Sequence, residues 1–305
     1  MKINTELQFL PTRDNISNIL NYYGLSLNTF EPAQGGIENC TIFVDTSNST
    51  YALRVYRQQK KSNQEILEEI RFVDYLQTEG IPVAPVVPNN GGKKLTLHGP
   101  WQIILMPKIA GIHVDQYNNS NVDSLAKEQA KMHHLASIYE HSFYPEPLIM
   151  LRDDTFIPKL NQTKLIDEAR QIMKRAKNYY VALPNNLPSG LCHLDYDSDN
   201  ILIDENNDIT AILDFDDLRL APFAVCLGYT LWHIACQEDK VLVDRYLTTY
   251  GNVRQLTEAE MSLLPKVMLF RHYMMSALVC LDGDMDDITA KKYNRIEKLV
   301  QNYLG

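Results

Sequence analysis

The chain of 305 residues predicts an α+β fold in two parts, a smaller β-rich part followed by a larger helical one. Three observations carry this. Short apolar runs bounded by Gly, Asn and Ser turns gather in the first third, at 40–45, 51–57 and 101–106. Apolar residues at helical spacing recur through most of the remainder. Within that remainder, a pair of β-branched runs, 201–203 and 209–213, flanks the polar tip Asp204-Glu205-Asn206-Asn207-Asp208 and reads as a β-hairpin.

Residues 12–23 predict a short amphipathic helix with Ile16, Ile19, Leu20 and Tyr23 on one side. Gln34-Gly35-Gly36-Ile37-Glu38-Asn39 then precedes the strand at 40–45. A Gly-rich turn between strands lets backbone N–H groups approach a phosphate, although two glycines also make an ordinary turn. In the strand at 51–57, Leu53 and Val55 share one face, and Ala52, Arg54 and Tyr56 the other.

Ser62-x-x-Glu65 is a capping box that opens a helix to about Thr78, stopped by Gly80 and Pro82. Glu69 falls in the middle of its apolar stripe, with Glu68 nearer the edge. A carboxylate placed there needs a partner, and Arg54 is the predicted one. Residues 113–122 read as a polar connector, and Asp123 as the cap of a helix to about Glu140. His133 and His134 inside it point about 100° apart, which suits core or rim positions better than a ligand pair. Further helices are expected over 161–181, after Pro222, and after the capping box Thr257-x-x-Glu260. The acidic run 282–287 lacks the Gly and Glu of a calcium loop and reads as solvated, or as lining for a cationic substrate.

The hairpin defines the candidate site. Asn200 and Asp214 are each seven residues from Asn207, so an antiparallel hairpin centred there sets them at its open end. Asp195 lies five residues before Asn200, in the entering loop. Two carboxylates and one amide at one mouth suit Mg²⁺, which takes hard oxygen ligands and leaves positions for phosphate.

The run His193-x-Asp195-x4-Asn200, followed by a strand ending in Leu213-Asp214-Phe215, resembles the core of the aminoglycoside phosphotransferase and choline kinase family of small-molecule kinases. The resemblance covers nearly the whole chain. It implies a two-lobed protein-kinase-like fold, with a nucleotide-binding lobe over 1–106 and a catalytic and substrate-binding lobe over 107–305. It implies transfer of the ATP γ-phosphate to an alcohol, with Asp195 catalytic and Asn200 and Asp214 holding Mg²⁺. Gly35, Gly36, Asn39, Ala52, Arg54, Glu69 and Met106 would bind the nucleotide, with Met106 at the hinge and His193 bracing the catalytic loop. Two positions depart from the pattern. Arg54 stands where most kinases have Lys, and Cys226 where the family usually has an Asp supporting the catalytic loop. These departures leave open a weak, nucleotide-binding pseudokinase. The short stretch 215–221 leaves no room for the segment with which protein kinases grip a polypeptide, so a small substrate is expected. Asp197, Asp199, Asp216 and Asp217 around the mouth favour an acceptor with an amine, a preference that Arg271 or His272 would invert by folding in.

Composition narrows the partners. Net charge is −9, against a nucleic-acid or anionic-membrane surface. Five scattered cysteines without a C-x-x-C pair argue for reduced thiols, and no signal core opens the chain. A cytoplasmic monomer or homodimer binding ATP and a small alcohol is the expectation.

Overall fold

The computed structural model describes residues 9–33, 39–57, 61–141, 169, 171–172, 174–176, 187–282 and 287–303. Gly35, Gly36, most of 161–181 and the acids at 284 and 286 lie outside them. The chain forms two compact units, one running to Gly111 and taking in Thr210–Leu213, the other holding most of the remaining chain.

The first unit is built on an antiparallel sheet of five strands: β1 (Leu27–Pro32), β2 (Cys40–Thr46), β3 (Thr50–Val55), β4 (Thr96–His98) and β5 (Trp101–Pro107). Their order is β1-β2-β3-β5-β4. Alternation sorts the side chains as the sequence predicts. Ile42, Val44, Leu53, Val55, Ile103 and Leu105 form a core with Ile16, Ile19 and Leu20 of α1 (Arg13–Leu20). Tyr56 and Ile104 form another with Ile66 and Ile70 of α2 (Asn63–Thr78). The predicted capping box of α2 is present, Glu65 N–H donating to Ser62 Oγ and Ser62 N–H to Glu65 Oε2.

The second unit is mainly helical. Its helix α3 (Asn119–Ile138) starts earlier than the sequence predicts. Asn118 and Asn121 close a reciprocal cap there, so Asp123 is left to pair with Arg245 and accept from Thr249. Strand β6 (Ile112–His113) pairs with β8 (Ile201–Ile203), and β7 (Ser189–Cys192) with β10 (Arg219–Pro222). β8 leads into the predicted polar tip, closed by Asp204 N–H to Asp208 O at 2.9 Å, and β9 (Ile209–Ile212), grouped with the first unit from Thr210, follows it. Helix α4 (Phe223–Ala235) is buried almost throughout and packs on α6 (Glu258–Asp282). Gly228 allows this approach, since a Cβ there would lie 2.6 Å from Val267 Cγ1. Helices α5 (Lys240–Val253) and α7 (Asp287–Gln301) complete the unit. No described helix is long and apolar enough to cross a membrane.

Candidate active site

The residues singled out in the sequence fall into two groups, one in each unit. In the first unit, the β3–β5 register sets Ala52 opposite Met106 and Arg54 opposite Ile104. Arg54 thus stands on the α2 face of the sheet. Glu69 is buried at 4% exposure as the apolar stripe requires, but Glu68, expected nearer the edge, is fully buried too and pairs with Arg71. Lys61 holds Glu69, with Nζ 2.5 Å from Oε2, and Tyr56 Oη donates to Oε1 at 2.8 Å. Lys61 was missed because it precedes the helix, outside any periodic pattern. Asn39 Oδ1 accepts the Arg57 N–H at 2.9 Å, tying the start of β2 to the end of β3.

In the second unit, β7 ends in the loop carrying the run His193-x-Asp195-x4-Asn200. Leu194 takes a left-handed backbone conformation, φ 61°, and its side chain is buried. His193 is buried against Phe215, and its Nδ1 accepts the Asp195 N–H at 3.3 Å. Asn200 spends both described bonds of its amide nitrogen on Asp195, one to the backbone oxygen and one to Oδ2, each 2.9 Å. The Asn200 carbonyl oxygen therefore points away from Asp195. Asp214 also has a left-handed backbone, φ 58°, and its Oδ1 accepts the Asp216 N–H at 3.3 Å. An amide oxygen and a carboxylate are hard donors and fit a hard divalent cation such as Mg²⁺.

Arg271, from α6, reaches Asp195: Nη2 lies 3.4 Å from Oδ1. The same nitrogen lies 3.2 Å from His233 Nε2. Burial, then the Arg271 charge, pushes the His233 pKa down to about 3, so the ring is neutral. Facing a guanidinium, Nε2 must accept, which places the ring proton on Nδ1, 3.5 Å from Asp197 Oδ2. Burial and the neighbouring Asp195 charge raise the Asp197 pKa to about 6. Asp195 is also raised, by burial, against the lowering effect of Arg271 and His193. His272 does not join this group; it is buried against Trp232, Tyr273 and Tyr293. Of the two residues that the sequence named as able to reverse the acceptor preference, Arg271 is thus the one beside Asp195. No motif marks Arg271, which stands 76 positions from Asp195.

Cys226 is buried with Cys192 and His133, their ligand atoms all within 4.8 Å of one another. The Cys192 thiol, followed by His133 and the Leu194 N–H, favours the thiolate of Cys226 and lowers its pKa, while burial and Cys226 raise that of Cys192. A group able to carry negative charge thus remains where the resembled family has its supporting Asp. His133 Nδ1 lies 2.7 Å from Tyr250 Oη.

The family model of the APH phosphotransferase enzyme family matches residues 29–264. The chain belongs to this family. Among curated phosphotransferases, it is similar to the homoserine kinase of Polaromonas naphthalenivorans, 26% identical over 278 residues, covering 87% of this chain and 84% of that protein. It is also similar to the amicoumacin kinase of Bacillus subtilis, 24% identical over 267 residues, with 79% and 77% covered. Among solved structures, amicoumacin kinase hAmiN in complex with AMP-PNP, Ca²⁺ and Ami superposes with a TM-score of 0.70 at 17% identity, covering 96% of this chain and 94% of that one. A microcompartment-associated aminopropanol kinase gives 0.67 at 18%, covering 96% and 95%. These neighbours confirm the protein-kinase-like α+β fold. The APH-family chain is a small-molecule kinase, a phosphotransferase with an alcohol group as acceptor. None of these similarities favours the pseudokinase alternative.

Proposed function

We propose that this enzyme moves the γ-phosphate of ATP to a hydroxyl of a small amino alcohol, aminoglycoside, homoserine or similar compound. The observation that carries the proposal is the Asp195–Asn200 pair, in which one amide orients the base and turns its own oxygen outward. Asp195 accepts the proton of the acceptor hydroxyl as its oxygen bonds to the γ-phosphorus. The bond from that phosphorus to the β,γ-bridging oxygen breaks, and ADP leaves. Asn200 and Asp214 would hold Mg²⁺, which when bound neutralises charge on the phosphates. Arg54 grips phosphate oxygens, with Glu69 fixed beneath the sheet by Lys61, while Gly35, Gly36, Asn39, Ala52 and Met106 line the nucleotide. Five free cysteines support a cytoplasmic setting.

Thermal melting with Mg-ATP tests the proposal. A stabilisation of about 2–4 kcal/mol is expected at saturating nucleotide. Asp195→Asn should abolish transfer and keep that stabilisation, whereas Asp214→Asn should lose both. Equal melting temperatures with and without millimolar Mg-ATP refute it.

A further inference from the structure

We propose that the acceptor alcohol carries a carboxylate and that Arg271 binds it. The proposal deepens the phosphotransferase function above and rests on it. Arg271 is nearly buried, its side chain 14% exposed, and its guanidinium carbon lies 4.7 Å from the centre of the Tyr229 ring. A guanidinium offers five N–H donors in a fixed plane. Among the described residues only Nη2 has polar contacts, one of 3.4 Å to Asp195 and one of 3.2 Å to His233. The Nε atom is buried and has no hydrogen-bond partner among them. Such a group keeps most of its donor capacity unspent, and a further anion would use it.

Its surroundings hold it ready for that anion. The guanidinium carbon lies 4.7 Å from the centre of the Tyr229 ring and 6.0 Å from that of Trp232, within reach of a cation–π attraction to both. His233 is neutral and contributes only a lone pair, so it does not cancel the Arg271 charge. Asp195 cancels part of it, but through one long contact from one oxygen. A carboxylate on the acceptor completes the pair in the two-pronged geometry that guanidinium favours. Because Arg271 also touches Asp195, an anion bound there sits a few bonds from the hydroxyl that Asp195 deprotonates. This selects short hydroxy acids, including hydroxy amino acids, whose amine Asp197 is placed to accept. A phosphate dianion fits less well, because Asp195 and Asp197 repel the second charge more strongly.

The test uses the full-length enzyme with Mg-ATP and matched acceptors. Homoserine, serine, glycerate and 4-hydroxybutyrate are each compared with their carboxamides, alongside ethanolamine and glycerol 3-phosphate, and ADP release is measured. At least one acid is expected to exceed its carboxamide by about 100-fold in kcat/KM. Arg271→Met should reduce that preference to less than about tenfold while Mg-ATP still raises the melting temperature, and Arg271→Lys should restore part of it with a raised KM. Should the variants fail to fold, the wild-type comparison decides alone. Carboxamides or ethanolamine equal to the acids, glycerol 3-phosphate as the best acceptor, or no turnover of any acid despite Mg-ATP binding each overturn the inference. Absence of Mg-ATP binding overturns the phosphotransferase function, and the inference with it.

Discussion

Replacing Asp197 by Asn is expected to stabilise the protein at neutral pH and to lose that advantage in acid. Asp197 is 8% exposed, and burial together with the Asp195 charge raises its pKa from 3.8 to about 6. The folded state therefore binds this proton more tightly than the unfolded chain does. Above pH 6 both states are ionised and the folded state bears the full cost of the buried charge, whereas below 3.8 both are protonated and the cost vanishes. At about 1.4 kcal/mol per unit, a shift of roughly two units corresponds to about 3 kcal/mol. The contact to His233 Nδ1 at 3.5 Å opposes this gain, and with the ring neutral it is worth about 1 kcal/mol. The bond from the Asp199 N–H, 3.0 Å long, survives because Asn keeps an acceptor oxygen and suits the capping position. The net gain at pH 8 is then about 2 kcal/mol, or roughly 3–6 °C in melting temperature for a chain of this size. Calorimetry of both proteins at pH 8, 7 and 4.5 checks it. A variant that melts no higher at pH 8, or whose advantage persists undiminished at pH 4.5, refutes the reasoning.

Lys61→Met should cost about 3 kcal/mol in urea unfolding, because both side chains of the Lys61–Glu69 pair are only 6% exposed, and Lys61→Met/Glu69→Leu should recover much of it. Gly228→Ala should cost about 1–3 kcal/mol by pressing α4 against Val267, and a second change, Val267→Ala, should recover only part of that loss on melting, because it removes Cγ1 at 2.6 Å but keeps the Cβ at 2.9 Å. The acid limb of kcat/KM should lie above the ordinary Asp value of 3.8, since burial raises Asp195, and should move higher in Arg271→Met, where the opposing positive charge is gone; an unmoved limb would exclude Asp195 as the titrating base.

The sheet, α2 with its cap, the hairpin and the loop that enters it were legible in the sequence because each rests on neighbours within a few positions. Alternation placed Leu53 and Val55 on one face, and a reciprocal Ser62–Glu65 cap needs only four residues. The contacts that escaped depend on how distant or irregular stretches of chain meet. Glu69 demanded a cation by its place on the wheel, but helical spacing does not point to Lys61, because its approach depends on how the chain turns before Ser62. Arg271 was recognisable only as a charge able to reverse the acceptor preference. Its approach to Asp195 is set by the packing of α6 on α4, which hinges on the missing side chain of Gly228. The start of α3 was misplaced because Asp123 is as good a cap in isolation as Asn118, and only Asn118 has Asn121 three residues on to return the bond.

Leu194 limits how the loop between His193 and Asn200 can vary. Its φ of 61° costs a residue with a Cβ roughly 1 kcal/mol or more, a cost that Gly avoids and Asn or Asp reduces. Yet its side chain is only 6% exposed, so Gly would leave a cavity, and Asn or Asp would bring an extra polar group into an apolar setting. The residues most at ease with the backbone are thus the least suited to the interior, and the reverse holds for Ile or Val, whose branched Cβ is the most strained at positive φ. Tolerance at this position is closed from both sides. A lineage that replaces Leu194 by any of these residues trades one cost for the other, and repacking of neighbouring side chains is what would lower it.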